Sequence, residues 1–237
     1  MQHCKPDPRI SHSIAIDGKT YKPTIFAIQA QASYAKSIIF LAEARVAIRA
    51  NNYIWAAIAS YYSLFHLANS LMFMSPQLIE PRLLARLVKK RADGTDDPTS
   101  LIPHSYLPRF LSDCELHGLT PRLRELLEIA KDIREESANY GPRIVWRGET
   151  PTFLTHRFRP SNVRRITISI VPLLSKALIW ARKQHSSSHI VLIAVAVSLD
   201  WFLQNRDLHY AKWCSKEVLA EAEALKCKLP LWQTNKA

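Results

Sequence analysis

The stretch at residues 42–72, "AEARVAIRANNYIWAAIASYYSLFHLANSLM", decides the fold class. From about residue 25 to 50 the apolar residues follow a helical period, and Asn51-Asn52 is a short polar break able to cap a second helix. In that second helix Ile54, Ile58, Tyr61, Phe65, Ala68 and Met72 alternate spacings of four and three, one bundle-facing stripe and an expected core. Helices joined by so short a break are antiparallel neighbours.

The rest of the chain agrees with an all-α fold. Only five of 237 residues are Gly, while Leu, Ala, Ile, Glu, Lys and Arg run in long unbroken stretches, which favours helices over strands and turns. At 48% apolar residues the chain can bury a core. Lys and Arg number 32 against 20 acids, a formal net charge of +12 that attracts polyanions: RNA, DNA or an acidic protein. Cys4, Cys114, Cys214 and Cys227 form no C-x-x-C pair, so they read as free thiols in a reducing cytoplasm. The opening "MQHCKPDPRI" has no apolar run of a signal peptide. The longest apolar run, at 190–199, falls short of the roughly 20 residues that cross a bilayer and reads as a buried helix, with a strand also possible.

Three segments are expected: an N-terminal arm at 1–24, an antiparallel helical bundle at 25–186 and a C-terminal helical extension at 187–237. The arm contains "SIAIDGKTY", a hairpin pattern with Asp17-Gly18 as its turn. Within the bundle, shorter helices are expected near 81–91 and 104–113. A long helix near 120–139 has Thr120 as its cap and Pro121 in its first position, and a polar, proline-bearing interruption follows at 140–160 before a helix to about Lys183.

The helix near 120–139 poses the functional question. At 100° per residue Leu123, Leu126, Leu127, Ala130, Ile133 and Ser137 share one side, while Arg124, Glu125, Glu128, Lys131, Asp132, Glu135 and Glu136 take the other. Arg134 lies eleven residues after Leu123, about 20° past three full turns, and so within the apolar face. A guanidinium there needs a carboxylate, a subunit interface or an anion-binding cleft. Arg143, Arg147, Arg157, Arg159, Arg164 and Arg165 then lie within 23 residues containing one acid, Glu149, with Trp146, Phe153, His156 and Phe158 interleaved. Arginines among aromatics can neutralise phosphates and stack bases, or as a solvated loop meet an acidic protein.

In order and spacing these pieces resemble the HEPN domain, the helical family named for higher eukaryotes and prokaryotes nucleotide-binding proteins. "AEARVAIRANNYIWAAIASYYSLFHLANSLM" resembles its first helix pair, "IPHSYLPRF" the segment that opens with a histidine, and "LLEIAKDIREESANYGP" the helix ending in arginine, a small residue, a polar residue and tyrosine. The resemblance covers roughly residues 30 to 185. It implies a four- or five-helix bundle that forms a homodimer, with the arginine helices of two subunits flanking a shared cleft. It further implies RNA binding and, in active members, metal-independent RNA cleavage in toxin–antitoxin or phage-defence systems, with an antitoxin such as a minimal nucleotidyltransferase, or another defence-complex protein, as partner. No cofactor, metal or membrane is implied.

Carried over residue by residue, Arg134 occupies the motif arginine. The motif histidine is missing: the places four to six residues on include Asn139 and Tyr140, and the departure resembles a branch ending in Asn or Asp and Tyr. RNA cleavage needs a base for the 2′-hydroxyl, a cation beside the phosphate and an acid for the leaving oxygen. The candidate catalytic set is therefore Arg134, Asn139, Tyr140 and His104, with Arg143, Arg147, His156, Arg157 and Arg159 positioning RNA. His66 reads as a core histidine. The alternatives are a catalytically inactive scaffold or dimerisation subunit, in which Arg134 pairs with an acid, and a DNA-binding regulator, for which no helix-turn-helix spacing is present. No P-loop, G-x-S-x-G, H-E-x-x-H or dinucleotide turn occurs.

Overall fold

The computed structural model describes residues 14–16, 19–21, 23–74, 83, 104–113, 119–138, 144–147, 150–153, 158–184 and 214–229. Six helices make up nearly all of these: α1 Pro23–Arg49, α2 Tyr53–Met74, α3 Tyr106–Asp113, α4 Thr120–Ala138, α5 Pro160–Gln184 and α6 Lys216–Lys226. The fold is all-α, with two small antiparallel hairpins attached. In the first, β1 (Ile14–Ile16) pairs with β2 (Lys19–Tyr21), Ile14 opposite Tyr21, as the arm's sequence predicts. The second pairs β3 (Ile144–Arg147) with β4 (Thr150–Phe153). The expected interruption at 140–160 thus contains strands, for which "IVWR" supplies β-branched and aromatic residues ahead of a glycine.

The Asn-Asn break works through two different backbone devices. Asn51 has φ +57°, and the amides of Asn51 and Asn52 donate to Ile48 O and Ala47 O at 3.1 and 2.8 Å, which closes α1. Asn52 then caps α2, its Oδ1 accepting from the Trp55 amide at 3.1 Å. With the chain reversed in so few residues, α1 and α2 pack along their lengths. Small residues let them approach: Ser37 Oγ donates to Ser63 O at 2.7 Å, Ser63 Oγ to Ser37 O at 2.8 Å, and Ser70 Oγ to Ala30 O at 2.8 Å.

α2 is the central helix, touching α1, α3, α4 and α5. It is buried almost all round from Ala56 to Phe73, so the expected single stripe understates it, and the stripe's first member, Ile54, is instead exposed. Ser60 and Thr167 share a 2.8 Å hydrogen bond between α2 and α5, and Tyr34 of α1 donates to Leu174 O of α5 at 3.0 Å. α6 lies on α1, with Val218, Leu219, Ala222 and Leu225 in the same core cluster as the bundle. Its Ser215 cap accepts from the Val218 amide, and Lys226 closes its last turn, where a cation suits the helix dipole.

α4 begins at the expected cap residue, Thr120, one position early, and the Leu123 amide bonds to Leu119 O at 3.0 Å. Pro121 therefore sits second in the helix, still in the first turn where its missing N–H leaves no intrahelical bond unmade. The apolar face is as the sequence predicts: Leu123, Leu126, Leu127, Ala130, Ile133 and Ser137 are all buried. That burial is complete within the single chain. Among the described residues, no helix is long and apolar enough to cross a membrane.

Candidate functional site

Arg134 is where the apolar face of α4 meets the aromatic face of α2. Its guanidinium carbon stands 4.4 Å from the centroid of the Tyr61 ring, a cation–π contact. Its side chain is 21% exposed, and its carboxylate contact is with the neighbouring Glu135, 3.4 Å away and itself 48% exposed. The charge is therefore supported by a ring and only weakly offset by an acid in water.

Tyr61 is the joint of the site. Besides carrying Arg134, its hydroxyl hydrogen-bonds Nδ1 of His104, the residue that opens the turn into α3. The imidazole lies against Phe65, with centroids 4.5 Å apart, and stacks on Tyr61 at 5.6 Å, while Tyr62 meets it edge-on at 6.3 Å. His104 remains exposed as a residue. Three chain segments, α2, α4 and the turn before α3, thus bring together an arginine, a phenol and an imidazole separated by up to 73 positions.

The electrostatics follow from this packing. Burial, then the nearby charges of Arg134 and Lys131, holds the His104 pKa below the ordinary histidine value, so the ring is neutral near pH 7. Burial pushes the Tyr61 phenol up to about 12 despite the pull of Arg134, so Tyr61 keeps its proton. With Nδ1 occupied by Tyr61, Nε2 is the nitrogen left to meet a ligand.

Of the residues expected from sequence, Arg134 and His104 come together. Asn139, Tyr140, Arg143, His156 and Arg157 lie outside the described residues, and so does the expected helix near 81–91 apart from Leu83. Arg147 is placed in β3 by its backbone. Arg159 is exposed just ahead of α5, in a segment tied to α4 by the Phe158 amide, which donates to Glu136 Oε2 at 2.7 Å. His66 is buried and stacked on Phe40 at 5.3 Å, a core position. Tyr61 was legible only as core; the signal that distinguishes it is its hydroxyl, which needs a partner when the ring is buried.

Among the described residues no group of His, Cys, Asp or Glu is arranged to hold a metal ion. No protein-family model matches the chain, no curated protein matches it, and no solved structure matches it.

Proposed function

We propose that the protein is a HEPN-type RNA-binding protein that cleaves RNA without a metal, as the effector of a toxin–antitoxin or phage-defence system. One observation carries this reading: a part-exposed guanidinium, with no buried carboxylate on it among the described residues, is fixed on the ring of a tyrosine whose hydroxyl holds a histidine. Such a cation can bind a phosphate and stabilise the charge that grows on it during transesterification. His104 replaces the histidine missing after Arg134. With Nδ1–H donating to the phenolic oxygen, Nε2 accepts the proton of the attacking 2′-hydroxyl, and the imidazolium so formed can return it to the leaving 5′-oxygen. Arg159 and the arginine-rich segment before it supply attraction along the strand. A second copy of the chain would add a second Arg134 to the same phosphate.

The test is cleavage of end-labelled total RNA and transfer RNA in EDTA by the parent, Arg134→Ala and His104→Ala proteins, each checked for fold and oligomeric state. Cleavage by the parent should fall at least about 10²-fold in both variants. No cleavage by any of them, with no tight binding of RNA, would instead assign the chain as a scaffold subunit.

A further inference from the structure

α2 carries a second tyrosine built into the same kind of contact. Tyr53 precedes Tyr61 by eight residues, which sets the two rings about 12 Å apart along the helix and about 80° apart around it. Each ring is covered by an arginine from a different helix: Arg134 of α4 over Tyr61 at 4.4 Å, and Arg164 of α5 over Tyr53 at 5.4 Å. Arg164 also donates to the Tyr53 hydroxyl. Between the rings lies exposed Ile54, in nearly the same azimuth as Tyr61.

Among the described residues no acid neutralises the charge on this second pair. Arg45, Arg49 and Arg122 each hold a glutamate, whereas Arg164 and the neighbouring exposed Arg159 and Arg165 have no acid partner among the described residues. The first turn of α5 contains no acid either, so the positive end of the helix adds to these cations. Arg164 thus lies on the ring, with Arg165 next to it in sequence, Arg159 just ahead of the same helix and the apolar Ile54 following Tyr53. That is an arrangement for a phosphate and the base attached to it.

We infer that Arg164 on Tyr53 is a second phosphate site, and that it forms with Arg134 on Tyr61 a two-point track for one strand of RNA. This rests on the reading of Arg134 as a phosphate ligand. A dinucleotide can fill the Arg134 site alone; a longer single strand continues over Ile54 to Arg164, Arg165 and Arg159. The planar guanidinium suits the second point as it does the first, offering a fork to the phosphate while its face remains on the ring.

The experiment measures binding of the dinucleotide UpU and of decauridylate, both with the attacking 2′-hydroxyls methylated, across a series of salt concentrations. The proteins are the parent, Arg134→Ala, Arg164→Ala and Arg122→Ala, the last removing one charge from an exposed pair elsewhere. Arg164→Ala should keep parental affinity for UpU, bind decauridylate about fivefold more weakly, and lower the slope of log affinity against log salt by about 0.7, as for one lost phosphate contact on a single strand. Arg122→Ala should leave the slope unchanged. If Arg134→Ala weakens both ligands but Arg164→Ala behaves like Arg122→Ala, the second site is wrong and the first stands. If Arg134→Ala binds like the parent, the phosphate reading of Arg134 falls and this inference with it. Equal competition by a blunt RNA duplex would overturn the assignment to a single strand.

Discussion

Two helix junctions of the molecule treat arginine in opposite ways. Where α1 meets α6, Arg45 and Arg49, one helical turn apart, both reach Glu221: Arg45 Nε to Oε1 at 3.0 Å and Arg49 Nη1 to Oε2 at 2.7 Å, with the carboxylate side chain 11% exposed. Where α2 meets α4, Arg134 has a tyrosine ring beneath it and a solvated neighbour, Glu135, beside it. The first arrangement is complete without a ligand. The second leaves a cation whose strongest possible partner is absent from the described residues, and it places that cation beside a neutral imidazole. The difference separates an arginine that holds helices together from one held ready by them.

The largest expected effects come from exchanging the fates of these two junctions. Arg134→Ala should reduce RNA cleavage at least about 10²-fold while leaving the thermal midpoint nearly unchanged, because no strong ion pair is lost. Glu221→Ala should do the reverse. It strips two guanidinium groups of a shared, mostly buried carboxylate, at a cost of roughly 1–3 kcal/mol, or about 3–10 °C for a chain of this size, with RNA binding at the parental level. Thermal melts beside cleavage assays decide it: a large loss of stability in Arg134→Ala, or of RNA binding in Glu221→Ala, would break the distinction.

A smaller effect sharpens the site itself. Because burial and the charges of Arg134 and Lys131 depress the His104 pKa, cleavage with His104 as base should rise with pH through a limb below the ordinary histidine value. Tyr61→Phe removes the partner of Nδ1 and bears on which atom donates. If Nδ1–H donates to the phenolic oxygen, that oxygen favours the imidazolium, and its loss moves the limb to still lower pH with a several-fold fall in the plateau rate. If the phenol donates to Nδ1 instead, the limb moves up, and His104 acts by donating from Nε2. We expect the downward shift, read from pH profiles of single-turnover cleavage.

How far the site could be read from sequence depends on which part of it is periodic. The buried face of α4 was legible because Leu123, Leu126, Leu127, Ala130 and Ile133 repeat at the helical period, and Arg134 stood out as the exception to that repeat. The Asn51-Asn52 reversal was legible because asparagine tolerates positive φ and caps helices. Nothing in the spacing showed that Tyr61 would join Arg134 to His104, since the contact is made between three separate segments and tyrosine on an apolar stripe reads as packing. Arg164 was visible within an arginine cluster, yet its value comes from Tyr53, more than a hundred residues earlier. The hairpin at 144–153 did not stand out in the sequence because each strand is four residues long, too short for a period of two to rise above the arginines and prolines around it. α6 could be expected as a helix, but its seat on α1 depends on Leu219, Ala222 and Leu225 finding a face that the sequence alone does not assign.

The smallest effect concerns a partly buried carboxyl on α1. Glu43, on α1 two residues before Arg45, is partly buried, and its Oε2 has no hydrogen-bond partner among the described residues. Burial raises its pKa above the ordinary carboxylate value, and burial together with the Glu43 charge pushes the Cys214 thiol up to about 11. A carboxyl whose folded pKa exceeds its unfolded one contributes fully to stability below the unfolded value, and that contribution is lost as pH rises through the folded value. At neutral pH the ionised group is therefore a burden on the fold. Glu43→Gln keeps the shape without the charge and should stabilise the protein by about 1 kcal/mol at pH 7, or about 2–4 °C. The gain should shrink as pH falls, vanishing once the parent's Glu43 is protonated. Melts of both proteins across that range test the sign: a gain that persists undiminished in acid would mean that the charge is not its cause, and a loss at pH 7 would mean that Glu43 is held by a partner as Glu221 is. The contrast between filled and unfilled charges would then belong to Arg134 alone.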